Sequence, residues 1–251
     1  MTRIVLNGAG KLGHAIMNAA LEQQGPVEVV AAVDNSEIEG LPVPLYSSLD
    51  QVSEDFDVVV DASRAEGLET VLEFASREGK PLLIAATGHS GPQFEALEKA
   101  AEQIPILLSS NLSVGVNVLR ALTEAAGKML GPVDAEIVET HHRMKVDAPS
   151  GTALTLAETL RDATDPDREF VYGRTPEDDE PRGGEIGIHA VRGGTVVGEH
   201  SVTFLLDGEI VELRHVAQSR DIFGHGALRA AEFIEDQPAG LYDMADVLAA
   251  G

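Results

Sequence analysis

The 251 residues carry 42 acidic against 18 basic side chains, a formal net charge of −24, and 43% of them are hydrophobic. That length supplies a buried core for one large domain or two modest ones, and the acidic excess argues against nucleic acid and anionic membrane as partners. Cysteine is absent, which excludes disulfides, thiolate catalysis and thiolate-held metal. Lysine is confined to Lys11, Lys80, Lys99, Lys128 and Lys145. So acidic and lysine-poor a surface reads as one adapted to high salt, where cations screen self-repulsion. No stretch approaches the roughly 20 apolar residues of a membrane span, and no basic-then-apolar leader opens the chain, so a soluble cytoplasmic protein is expected.

Residues 3–7 read as an apolar strand. Gly8-Ala9-Gly10-Lys11-Leu12-Gly13 follows, and then a helical stretch that closes at Gly25. Strand, GxGxxG and helix in that order suit a dinucleotide: the glycines permit a tight turn and close approach of a pyrophosphate to the helix N-terminus. A second strand ends at Asp34, 21 residues after Gly13, where a carboxylate is placed to bind the adenosine ribose hydroxyls. Strands are then expected at 57–61, 81–86 and 105–111, with helices at 68–79 and 92–103 between them. Continuous apolar strands alternating with helices predict a doubly wound parallel sheet of the Rossmann type. Its ligand-binding edge holds Ala62-Ser63, Ala86-Thr87-Gly88 and Ser110-Asn111.

After a long helix at 114–130 the pattern changes. A strand at 134–139, a loop, a helix at 152–162 and then strands separated by Gly193-Gly194 and Asp207-Gly208 predict an α+β domain with antiparallel hairpins in a mixed sheet. Residues 176–180 (PEDDE) read as a solvated loop. The expected division is 1–112, completed by 221–251, for the dinucleotide domain and 113–220 for a substrate-binding and oligomerisation domain. His14 and His225 read as surface residues, and His89 as a neighbour of the cofactor. His189, His200 and His215 read as satisfied structural histidines in strands. No spacing suggests a metal site.

The loop between the 134–139 strand and the following helix is the chemical centre. His141, His142, Arg143 and Lys145 fall within five residues of an otherwise acidic chain, and Ser150 or Thr152 is placed to cap the helix. Two histidines, a lysine and a helix N-terminus make a receptor for carboxylates and a proton source near neutral pH.

The same stretch carries a resemblance. His141-His142-x-x-Lys145-x-Asp147-Ala148-Pro149-Ser150-Gly151-Thr152-Ala153, preceded by Glu136 and Glu139, resembles the signature of the dihydrodipicolinate (4-hydroxy-tetrahydrodipicolinate) reductase family of the diaminopimelate–lysine pathway. Asn111-Leu112-Ser113-Val114-Gly115-Val116-Asn117 matches a second family pattern. Ala85-Ala86-Thr87-Gly88 departs from a third, which reads Gly-Thr-Thr-Gly in the family.

The resemblance implies NAD(P)H-dependent reduction of a cyclic imine dicarboxylate. His141 is then the proton donor or acceptor, and Lys145 a proton donor that also holds a carboxylate. His142 contacts substrate, and Ser150, Gly151 and Thr152 take a carboxylate. The cofactor falls on Gly8, Ala9, Gly10, Lys11, Leu12, Gly13, Asp34, Ala85, Ala86, Thr87, Ser109, Ser110, Asn111 and Leu112. A homotetramer joined through second-domain sheets is implied too. Asp34 followed by neutral Asn35, rather than arginine, predicts NADH over NADPH; Arg64 is the other cation near the adenine side. Two rivals stay open: a different amino-acid or semialdehyde dehydrogenase, and a non-catalytic nucleotide sensor.

Overall fold

The computed structural model describes residues 1–175 and 181–250. In chain order the first elements are β1 (Thr2–Asn7), α1 (Lys11–Gln23), β2 (Val27–Val33), β3 (Leu45–Tyr46), β4 (Val58–Asp61), α2 (Leu68–Glu78), β5 (Leu82–Ile84), α3 (Gly91–Ala101) and β6 (Pro105–Leu108). There follow α4 (Val114–Leu130), β7 (Asp134–His141), α5 (Gly151–Thr164), β8 (Phe170–Tyr172), β9 (Ile186–Arg192), β10 (Gly198–Leu206) and β11 (Glu209–Ala217). The chain closes with α6 (Asp221–Glu235), β12 (Gly240–Tyr242) and α7 (Met244–Ala249). Its contacts divide it into two units, Met1–Val114 with Asp221–Gly251, and Gly115–Arg220.

The first unit is a seven-stranded parallel sheet in the order β12-β6-β5-β4-β1-β2-β3. Side chains alternate across it, and because both faces are covered the central residues of the strands are apolar, with polar residues such as Arg3, Glu28 and Asp61 toward the strand ends. Ile4 and Leu6 pack with Ile16 and Met17 of α1 and Ala227 and Ala231 of α6. Val5 faces the other way, toward Val71 and Phe74 of α2 and Leu97 of α3. Each such large apolar side chain, fully buried, stabilises by about 1.5–3 kcal/mol. Helix α6 lies against α1 so closely that a Cβ at Gly224 would collide with the Ala15 carbonyl. The expected doubly wound sheet is therefore present, with β3 and β12 as short edge strands that the sequence pattern did not reveal.

The second unit is a five-stranded mixed sheet in the order β11-β10-β7-β9-β8. Here the hairpin expectation holds only in part. β10 and β11 form an antiparallel hairpin across Asp207-Gly208, but β9 and β10 do not pair with each other. Both flank β7, β9 parallel and β10 antiparallel. Gly193-Gly194 instead crosses the end of β7: Gly193 N–H donates to the His141 carbonyl at 3.0 Å, and Arg143 N–H to that of Gly194 at 3.3 Å. A glycine pair marks a turn; it does not say which strand edge receives the chain afterwards. Strand β8 was also not anticipated, and the loop read at 176–180 lies outside the described residues.

One face of this sheet packs on helices. Ala135, Ile137, Val202 and Phe204 meet Leu119 of α4 and Ala153, Leu156 and Leu160 of α5. Register puts Glu139 and His200 on that same face.

Candidate active site

Strand β7 alternates strictly, so residues 135, 137, 139 and 141 share the buried face. Two of those four are polar. His141 ends the strand instead of opening the loop, and Glu139 is fully buried. Burying a lone carboxylate costs several kcal/mol, and hydrogen bonds must offset it. Glu139 receives both guanidinium nitrogens of Arg192 at 2.7 Å, the Ser150 N–H at 2.9 Å and lies 2.5 Å from Nδ1 of His141. Burial alone would raise its pKa; the bonds from Arg192, His141 and Ser150 together outweigh burial and hold it below the usual range.

The imidazole of His141 is pushed below its ordinary value, chiefly by burial, with the Glu139 contact opposing. Its Nε2 faces Gly198, where an added Cβ would come within 3.0 Å, so glycine there leaves the ring its room. His200 stands edge-on to it, ring centroids 5.1 Å apart. Burial takes His200 down to about 4, with the His141 charge as the next cause, and it is neutral at physiological pH. Its Nε2 lies 3.1 Å from Ser150 Oγ, while its Nδ1 has no partner among the described residues. The expected satisfied histidine is thus only half satisfied.

The loop supplies the remaining groups. Lys145 pairs with Asp147 at 2.9 Å, and Arg220 Nη2 lies 2.9 Å from Nε2 of His142. Ser150 caps α5, its buried hydroxyl accepting from Ala153 N–H at 3.2 Å. Gly151 is exposed, and a Cβ there would meet nothing within 4 Å, so the first turn of α5 is open to an incoming anion. Five of the expected residues, His141, His142, Lys145, Ser150 and Gly151, and partly exposed Thr152 thus lie at one end of β7 and α5.

Glu139, Arg192, His200 and Arg220 were not assigned roles from sequence. The period of two in β7 could have found Glu139. Arg192 arrives from the end of β9 and Arg220 from the turn before α6, and neither carried a local signal.

In the first unit the carboxyl ends of β1, β2, β4, β5 and β6 share one edge, because all are parallel. That edge gathers residues 8–13, Asp34, Ala85 to Thr87 and Ser109 to Leu112. Gly8 has φ +99° and its Cα packs on the Ala62–Ser63 backbone, while a Cβ at Gly13 would strike the Gly8 carbonyl. Gly10 is the glycine with open space, at the helix N-terminus of α1, which no side chain caps. That uncapped N-terminus is where the loop could hold a pyrophosphate.

Asp34 accepts from Ala9 N–H at 2.9 Å and from Ser36 N–H at 2.9 Å. Burial would raise its carboxyl, but the N–H groups of Ser36 and Ala9 together hold it low. Ser109 and Asn111 bond within the 109–113 turn, and Lys11 and Ser110 are exposed. Leu112 is different: its side chain is buried in the core, so only its backbone can meet a ligand. Beside the glycine loop, fully buried Asp61 accepts from Asn7 and Ser63, leaving Oδ2 without a partner among the described residues.

Comparison with known proteins decides the family. Residues 2–112 match the N-terminal and residues 115–248 the C-terminal family of dihydrodipicolinate reductase. The chain belongs to the dihydrodipicolinate reductase family. It is an oxidoreductase of the pyridine-nucleotide class. A 4-hydroxy-tetrahydrodipicolinate reductase from Caldanaerobacter subterraneus subsp. tengcongensis is 45% identical over 253 residues, covering 100% of both chains. One from Clostridium perfringens (strain ATCC 13124) is 39% identical over 251 residues, covering 99% of this chain and 98% of that one. The dipicolinate-bound dihydrodipicolinate reductase from Paenisporosarcina sp. TG-14 shares the fold, with a TM-score of 0.82 at 22% identity and 97% of each chain covered. Among the described residues no three His, Asp or Glu side chains gather as a metal site requires, and no helix is long and apolar enough to cross a membrane.

Proposed function

We propose that His141 and Lys145 supply the proton in the reduction of 4-hydroxy-tetrahydrodipicolinate to tetrahydrodipicolinate, the diaminopimelate–lysine pathway reaction of this family. The observation that carries the assignment is the Glu139–His141 contact of 2.5 Å, which fixes the imidazole through Nδ1 and leaves Nε2 for chemistry. Lys145 brings a second acid and a charge for one substrate carboxylate. His142, Gly151 and Thr152 take the other, at the open first turn of α5. Ser150, also expected there, is buried with its N–H on Glu139 and its hydroxyl on Ala153 and His200, and holds the cap instead. Preorganised positive charge is needed here because a net charge of −24 repels a dianion.

Gly8 to Gly13, Asp34, Ala85 to Thr87 and Ser109 to Leu112 hold the nicotinamide nucleotide, which when bound supplies the hydride. Asp34 and Asn35 favour NADH, with NADPH accepted more weakly. The enzyme works in the cytoplasm as a homotetramer. The open face of the second sheet supports that assembly, since it exposes Val138, Val191, Ile210 and Val216 on one side.

The deciding assay is NADH oxidation with and without enzymatically generated 4-hydroxy-tetrahydrodipicolinate. Substrate-dependent turnover is expected, and its absence sinks the assignment.

A further inference from the structure

Arg192, the last residue of β9, reaches two places at once. Its Nη1 and Nη2 each donate to Glu139 at 2.7 Å, and Nη2 also donates to the Asp147 carbonyl at 2.6 Å. Asp147 belongs to the loop that carries Lys145, and its carboxylate pairs with the Lys145 ammonium at 2.9 Å. One guanidinium therefore ties the carboxylate behind His141 to the loop bearing the second acid. A planar fork with fixed donors does this where a flexible ammonium cannot.

The surroundings of His141 explain why the tie matters. From β9 comes Arg192, from the loop Lys145, from β10 neutral His200 with His215 of β11 beyond it, and from α5 the Ser150 hydroxyl. Against those cations, Glu139 is the carboxylate that favours a charged imidazole. Without its guanidinium partner a fully buried carboxylate gains a proton more readily than a solvated one. A protonated Glu139 would donate to Nδ1 instead of accepting from it, and the neutral ring would then carry its proton on Nε2. That neutral ring is a weaker acid than the imidazolium, because its Nε2–H can leave only as the Glu139 proton crosses to Nδ1.

We propose that Arg192 is a positioning residue of the proton-transfer site, keeping Glu139 an acceptor for the Nδ1–H of His141, so that Nε2 exchanges the substrate proton, and holding the Lys145 loop beside it. This rests on the functional reading above. In the step itself the ring is the imidazolium, protonated on both nitrogens. Its Nε2–H bond breaks, the electron pair stays on the ring, and the proton passes to the substrate that accepts the hydride. The neutral Nδ1–H ring left behind takes its next proton from solvent. Nδ1–H stays on Glu139 throughout.

The test uses full-length protein labelled with ¹⁵N-histidine, with the His141 signal assigned by its loss in His141→Gln. Long-range ¹⁵N–¹H correlation then reads the His141 tautomer directly. In the wild type the neutral ring is expected to carry its proton on Nδ1. In Arg192→Gln that tautomer is expected to lose its dominance and kcat to fall about 10- to 100-fold, within what well-placed acid catalysis contributes. The NADH dissociation constant should stay within about twofold, since the glycine loop lies in the other unit. Arg192→Lys should restore the tautomer but only part of kcat, because one ammonium cannot hold both Glu139 and the Asp147 carbonyl.

An Nε2–H tautomer in the wild type overturns the proposal, as does Arg192→Gln with both kcat and tautomer unchanged. Should Arg192→Gln not fold, the wild-type tautomer and Arg192→Lys still decide. Wild-type protein that fails to turn over substrate would sink the functional reading, and the tautomer would be measured regardless.

Discussion

Glu139 and His141 stand two residues apart on one strand, and their side chains meet 2.5 Å apart on its buried face. A strand's period of two makes that meeting possible, and Arg192 makes it electrostatically tolerable. The candidate acid is therefore held from behind by a fully buried carboxylate and a guanidinium that is only partly exposed.

Replacing either acid should stop chemistry while sparing the nucleotide. His141→Gln and Lys145→Ala are each expected to lower turnover by about 10²- to 10⁴-fold with NADH affinity nearly unchanged. Steady-state kinetics alongside NADH fluorescence titration measures both. Full activity in either variant removes that residue from the catalytic pair.

Stability should fall on mild acidification because of His200. An unfolded histidine takes up its proton near 6.5 and folded His200 at about 4, so between those values the unfolded chain binds more protons. Stability is complete above about pH 6.5 and declines as pH falls to about 4, by on the order of 3 kcal/mol from this group. His141 and His215, also lowered by burial, act in the same direction. Thermal melts from pH 7.5 to 4 check this, and His200→Leu should flatten the slope. An unchanged slope in that variant would show that His200 is not the group responsible.

Cofactor preference should turn on residue 35. The Asp34 carboxylate suits ribose hydroxyls and repels a 2′-phosphate, and neutral Asn35 does nothing to relieve the repulsion. The ratio of kcat/KM for NADH over NADPH, at fixed ionic strength, is expected to exceed one. Asn35→Arg should move it toward NADPH. A wild-type preference for NADPH would mean that Arg64 binds the phosphate instead.

Salt should stabilise this protein. The Debye length shortens from about 10 Å at 0.1 M to about 3 Å at 1 M, which weakens repulsion among the excess carboxylates. A melting temperature that rises between those concentrations is expected; a flat or falling one rejects adaptation to high salt.

A tetramer in light scattering is expected at low and high salt alike. Substituting Val138 and Val191 by lysine on the open sheet face should reduce it to smaller species. A monomeric wild type would overturn the assembly.

Local chemistry was legible in the sequence. The glycine spacing, the acid at the end of the second strand, the alternation of β7 and the capped start of α5 are each set by neighbours in the chain. Their periodicity and turn preferences were sufficient to read them. The cluster from His141 to Thr152 was legible for the same reason, being a single stretch between one strand and one helix. The tertiary structure alone decided which strands became neighbours. It placed β7 between β9 and β10, where Gly193-Gly194 had suggested a hairpin, and so brought Arg192 and His200 to Glu139, His141 and Ser150 across 50 or more residues. It also turned Leu112 into the core and set Asp34 against the Ala9 N–H. Pairing between distant strands depends on which edge is free once earlier elements have packed, and no local pattern of residues carries that information.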